Sequence, residues 1–119
     1  MPTNDSVNQR EGQALLDSVH EELRESFMQS MPARLTEIRR IAESLRQSPP
    51  DAEALQALHA ETHRLAGTTA VYGLKATSEV ARRFNRVLRD GIQSGISTLN
   101  LDHLQAFLLE LDAALRRDA

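Results

Sequence analysis

Apolar residues recur along this chain at three- and four-residue intervals in four separate stretches, the spacing that lines one face of an α-helix. The first stretch runs from about Glu11 to Gln47, with Leu16, Val19, Leu23, Phe27, Met31, Leu35, Ile38, Ala42 and Leu45 on its seam. Pro32 falls inside it, where a missing N–H and a ring clash with the preceding turn predict a kinked or a split helix. Ser48-Pro49-Pro50-Asp51 marks the next boundary: Ser48 suits an N-cap, Pro49 the first helical position and Asp51 a capping-box acid. The second helix, ending near Val71, has Leu55, Leu58, Thr62, Leu65 and Thr69 as its seam, and Gly73 as a left-handed stop. A third, about Leu74 to Ile92, carries Leu74, Thr77, Ala81, Phe84 and Leu88, and Gly91–Leu99 reads as a loop. Asn100 caps a fourth whose seam is Leu101, Leu104, Leu108, Leu111 and Leu115, with Asp102 in its first turn and Arg116-Arg117 in its last complementing the helix dipole. Short connections make neighbours antiparallel, so the expected architecture is all-α: an up-down four-helix bundle over residues 11–119, preceded by a disordered polar lead at 1–10.

Composition narrows the function classes. At 119 residues the chain is long enough for one domain with a real core. A formal charge of −3 argues against a dedicated nucleic-acid binder. Without cysteine there is no thiolate metal site and no thiol chemistry. Apolar runs such as Ala106–Leu109 are far too short to span a membrane, and the first ten residues lack a signal-peptide core. A cytoplasmic, monomeric helical domain is the expectation.

His63 stands out from this background. It projects about 130° from the centre of its helix seam, towards water. Its neighbours three, four and seven positions away are Ala60, Ala66, Gly67 and Ala70, with His59 the only sizeable one. A glycine inside a helix costs about 1 kcal/mol relative to alanine, and clearing space for another molecule to reach the imidazole supplies a reason for Gly67. Free imidazole titrates near pH 6.5, so a large share is unprotonated and nucleophilic at neutral pH.

The run His63-Arg64-Leu65-Ala66-Gly67-Thr68-Thr69-Ala70-Val71-Tyr72-Gly73-Leu74 resembles the signature of histidine-containing phosphotransfer (HPt) domains: a histidine, a hydrophobic residue two later, a glycine four later, small residues, then an aromatic-glycine pair. The helical layout extends the resemblance to about residues 11–117. It implies that His63 accepts a phosphoryl group and passes it to or from an aspartate of a receiver domain. It also implies a protein without a nucleotide site or cofactor of its own, any Mg2+ being held by the receiver. The chain departs from the family pattern at Ala66, where lysine is frequent, and at Asn85, matching a glutamate that orients the histidine in similar chemotaxis-kinase domains.

Phosphoryl transfer asks the acceptor for access, in-line positioning and charge neutralisation. The third helix offers charge in Lys75, Arg82, Arg83, Arg86 and Arg89 against Glu79, with Arg82, Arg86 and Arg89 in one stripe. It reads either as a solvated face or as a docking surface for an acidic receiver, with Arg82 approaching the phosphoryl group. Two other classes compete. His59 and His63, at i and i+4, are able to share a metal ion, but no Glu-x-x-His element supplies the ligands a bundle metal site needs. A helical interaction module without chemistry explains the amphipathic helices equally well and leaves Gly67 and the alanine collar without a purpose.

Overall fold

A computed structural model describes residues 4–47 and 50–119, with side chains from residue 7 onward. The described residues form an all-α fold of four helices: α1 (Asn4–Ser44), α2 (Ala52–Val71), α3 (Lys75–Ser94) and α4 (Leu101–Asp118), with a 3-10 turn at Ile96–Thr98. The chain divides into two units at Met31/Pro32.

The unit ending at Met31 is helical from Asn4, so residues 4–10, read from the sequence as a disordered lead, belong to α1. Leu16, Val19 and Leu23, expected on the core seam, are 44–64% exposed, and Leu15 joins them on the surface. Their spacing marks one face of a helix, and that face is exposed. Nor is α1 split at Pro32, which sits exposed inside it. Good helix-forming sequence on both sides carries the helix past one missing hydrogen bond.

In the unit from Pro32 onward the seams close into one core. Leu35, Ile38, Ala42 and Leu45 are buried from α1, and every seam residue expected on α2 and α3 is at most 3% exposed. At about 25 cal/mol per Å2 of apolar surface, each fully buried leucine or phenylalanine contributes about 1.5–3 kcal/mol. On α4 the buried stripe is Leu104, Phe107, Leu108, Leu111 and Ala114, while Leu101 and Leu115 are half-buried. Phe107 stacks on Phe84 with ring centroids 5.2 Å apart, which turns the centre of the α4 face one position away from the leucine row.

The helix ends are specific. Asp51 caps α2 itself, accepting from the Glu53 N–H at 2.9 Å; Ser48 and Pro49, expected to cap and open this helix, lie outside the described residues. At the other end Gly73 has φ +71°. Its N–H reaches the Ala70 carbonyl and the Leu74 N–H the Thr69 carbonyl, the paired closure that needs a left-handed residue. Gly91, read as the start of a loop, is inside α3 and buried, because a Cβ there would lie 2.5 Å from Leu99 Cδ2. Asn100 caps α4 as expected, accepting from the His103 N–H.

Leu74 leaves α3 without a side-chain cap of its own. The last turn of α4 supplies it. Asp118 accepts from the Thr77 N–H at 2.7 Å, the Thr77 hydroxyl at 2.8 Å and the Ala76 N–H at 3.2 Å. A carboxylate is disfavoured at the negative end of its own helix and favoured at the positive end of α3, so this contact also settles its charge. Burial pushes the Asp118 carboxyl up, but the hydrogen bonds from Thr77 and Ala76 and the charge of Arg117 outweigh it, and the net shift is downward. A lowered carboxylate stabilises the fold above its unfolded value, near pH 4, and loses that contribution as pH falls through the lower native value. Asp118→Ala is therefore expected to cost about 1–2 kcal/mol at pH 7, the scale of a lost helix cap. Urea unfolding at pH 7 and at pH 2.5 checks it: the gap between the two proteins should narrow in acid, and a gap of constant size would mean that the carboxylate is not the source.

Candidate functional site

His63 stands exposed on α2, on the side opposite buried Leu58, Thr62 and Leu65. The backbone beneath it is tied to α3 a turn to either side. On one side, Asn85 Nδ2 donates to the His59 carbonyl at 2.9 Å and to Thr62 Oγ1 at 3.0 Å. On the other, Ser78 Oγ donates to the Ala66 carbonyl at 3.1 Å. In an α-helix the His59 carbonyl is also the acceptor for the N–H of His63, so Asn85 holds the very turn that carries the imidazole. The position compared in sequence with a histidine-orienting glutamate thus grips backbone with its amide.

The small residues around His63 divide into three kinds. Gly67 and Ala70 are exposed beside it. A Cβ built on Gly67 meets nothing within 4 Å, so open space, rather than a close neighbour, surrounds this glycine. Ala66 is only 9% exposed and belongs to the α2–α3 contact, its carbonyl taken by Ser78. Ala60 is exposed but lines neither of the grooves that flank the histidine.

Those grooves meet at His63 and Gly67. The larger, about 580 Å3, is lined on the α2 side by His63, Ala66, Gly67 and Ala70, and on the α3 side by Ser78, Glu79, Arg82, Asn85 and Arg86. The smaller, about 350 Å3, runs past Thr68 and the exposed Val71 to Tyr72. His59 is half-buried, its ring 6.5 Å from that of His63 and nearly parallel, so it covers the imidazole from one end of the helix only.

The basic residues of α3 separate by their partners. Arg82 pairs with Glu79 at 2.8 Å. Arg83 pairs with Glu110 of α4 at 2.9 Å and lies over the Phe107 ring, outside the groove. Arg89 lies 3.9 Å from Asp90. The expected stripe is therefore largely neutralised by its own acids, and of the groove's two arginines, Arg82 is the one already engaged. Arg64, outward on α2, pairs with Glu61 at 2.8 Å. Acids distant in sequence, such as Glu110, left no local signal of these pairings; Glu79, three residues before Arg82, did.

Among the described residues no three His, Cys, Asp or Glu side chains converge as metal ligands, and His59 and His63 remain a pair. No described helix is long and apolar enough to cross a membrane.

Comparison with curated proteins and with solved structures gives no match. The family model for the Hpt domain matches residues 22–117, which include α2, α3, the exposed histidine and both grooves. With most of its length matched, the chain belongs to the Hpt domain family.

Proposed function

We propose that this domain is a histidine phosphocarrier of a two-component phosphorelay, taking a phosphoryl group on His63 to or from the aspartate of a receiver domain. The observation that carries the reading is an exposed imidazole on a braced helix, with open space at Gly67 and arginines across the groove. In the forward step a neutral ring nitrogen of His63 attacks the phosphorus of the receiver's aspartyl phosphate in line. The N–P bond forms, the bond to the aspartate oxygen breaks, and the carboxylate leaves. The proton on the other ring nitrogen passes to water or stays until the reverse step. Mg2+ and the acidic pocket belong to the receiver, and a kinase domain elsewhere supplies the nucleotide chemistry.

The convex face of α2 admits a concave partner, with Gly67, Ala70 and Ala66 keeping the approach low and Ala60 and His59 bordering it. Arg82 and Arg86 favour docking of an acidic surface. We take residues 11–119 as the working domain, acting as a monomer in the cytoplasm without nucleic acid.

His63→Gln should abolish acid-labile phosphate incorporation from a phosphorylated receiver or kinase while leaving the helical circular dichroism unchanged. Label persisting in the variant would move the site, with His59 the first place to look. A wild-type protein that takes no label from any donor would leave a helical interaction module without chemistry.

Gly67 separates access from stability. Gly67→Ala should fold as well or better, by up to about 1 kcal/mol, because the added methyl meets no atom. Gly67→Gln fills the junction of the two grooves and should slow transfer by about tenfold or more, since access and in-line alignment set the rate. Stopped-flow transfer and thermal unfolding on both variants read the two effects apart; an unchanged rate in Gly67→Gln would make the open space incidental.

A further inference from the structure

A phosphoryl group on His63 brings close to two negative charges into the groove beside it, and the groove has to answer them. Its α2 side offers no cation: the lining residues there are His63, Ala66, Gly67 and Ala70. Its α3 side holds Glu79, Arg82 and Arg86 as its charged groups. Arg82 and Glu79 are joined at 2.8 Å and largely cancel, so recruiting Arg82 would leave Glu79 near the incoming anion with only the more distant Arg83, at 3.9 Å, beside it. Arg86 has no carboxylate partner among the described residues, whereas Arg82, Arg83 and Arg89 each have one. It therefore breaks no ion pair when it turns to an anion. Its backbone is also fixed relative to the imidazole, because the adjacent Asn85 is bonded to the turn that carries His63. A guanidinium presents a planar fork of donors that matches phosphoryl oxygens.

We propose that Arg86 is the phosphoryl-binding residue of this site, closing over the groove to bond the phosphoryl oxygens once His63 is phosphorylated. The inference rests on the phosphocarrier reading of His63. It assigns to Arg86 the part that sequence spacing alone offers to Arg82. It also gives the Glu79–Arg82 pair a different role, a nearly neutral wall that borders the phosphoryl group without holding it.

The test is a 31P NMR pH titration of protein phosphorylated with phosphoramidate, a small donor that needs no partner domain. The N-linked phosphoryl group, like a phosphate monoester with its last proton near pH 6, passes between mono- and dianion, and a close cation holds the dianion to lower pH. Arg86→Ala should raise the phosphoryl midpoint by about half to one pH unit relative to wild type, and Arg86→Lys should recover part of the shift. Arg89→Ala, outside the groove, should leave the midpoint in place. So should the double variant Arg82→Ala with Glu79→Gln, which removes the neutral pair as a unit. An unchanged midpoint in Arg86→Ala, or an equal rise in the double variant or in Arg89→Ala, overturns the assignment while the label on His63 keeps the phosphocarrier reading intact. A wild-type protein that takes no phosphoryl group on His63 overturns both.

Discussion

Everything the site can do depends on how α3 grips α2. The two helices share an apolar interface, but the contacts that fix their register at His63 are polar: Asn85 on the His59 carbonyl and Thr62 hydroxyl, and Ser78 on the Ala66 carbonyl. Apolar packing is non-directional and tolerates small slides, whereas a hydrogen bond from a side chain to a chosen carbonyl does not. Of the buried Thr62, Thr69, Thr77 and Ser78, Thr62 and Ser78 bond between α2 and α3, Thr69 bonds its own helix and Thr77 bonds Asp118 of α4, and no buried side-chain nitrogen or oxygen among the described residues lacks a partner. A satisfied polar layer of this kind rigidifies one arrangement, whereas a half-satisfied layer would cost more than an apolar one. The consequence is that an exposed imidazole, ordinarily a mobile surface group, starts from a backbone held by hydrogen bonds on both sides.

Accessibility and charge then follow from what the braced surface omits. Gly67 omits a side chain where the two grooves join, and the α2 lining of the larger groove holds no arginine or lysine, so charge enters that groove from α3. The arginines of α3 are not equivalent, because i, i+3 and inter-helix carboxylates engage Arg82 and Arg83. Exposed pairs of this kind contribute little to stability, typically below about 1 kcal/mol. Their effect is to direct which cation is available to an anion, and steric room and free charge coincide at one edge of His63.

Much of this was legible in the sequence because it is local. The α2 and α3 seams, the glycine stop at Gly73 and the Asn100 cap all sit where residue spacing and turn chemistry place them. What was not legible depends on partners distant in the chain. Asp118 caps a helix that begins more than forty residues earlier, with no local signature. The leucine row of α4 is displaced by Phe107, whose place is decided by Phe84 on another helix. On α1, Leu16, Val19 and Leu23 keep core spacing without being buried, since periodicity reports a face and says nothing of whether that face is covered. On α2, spacing placed His63, Gly67 and Ala70 on the exposed side, where the structure has them, yet it did not separate from them Ala66, whose surface is spent on α3.

The central claim is that phosphorylation is a local event at His63 on a platform that does not rearrange. Histidine-ring and backbone 1H–15N NMR spectra of the same sample before and after phosphorylation test it most directly. The account predicts a phosphorus coupling on one ring nitrogen of His63 alone, with backbone shifts confined to residues bordering its grooves, such as Gly67, Ala70 and Arg86, and with the Asn85 and Ser78 contacts kept. Coupling on His20, His59 or His103, or shifts spread through the buried seams of α2 and α3, would contradict it.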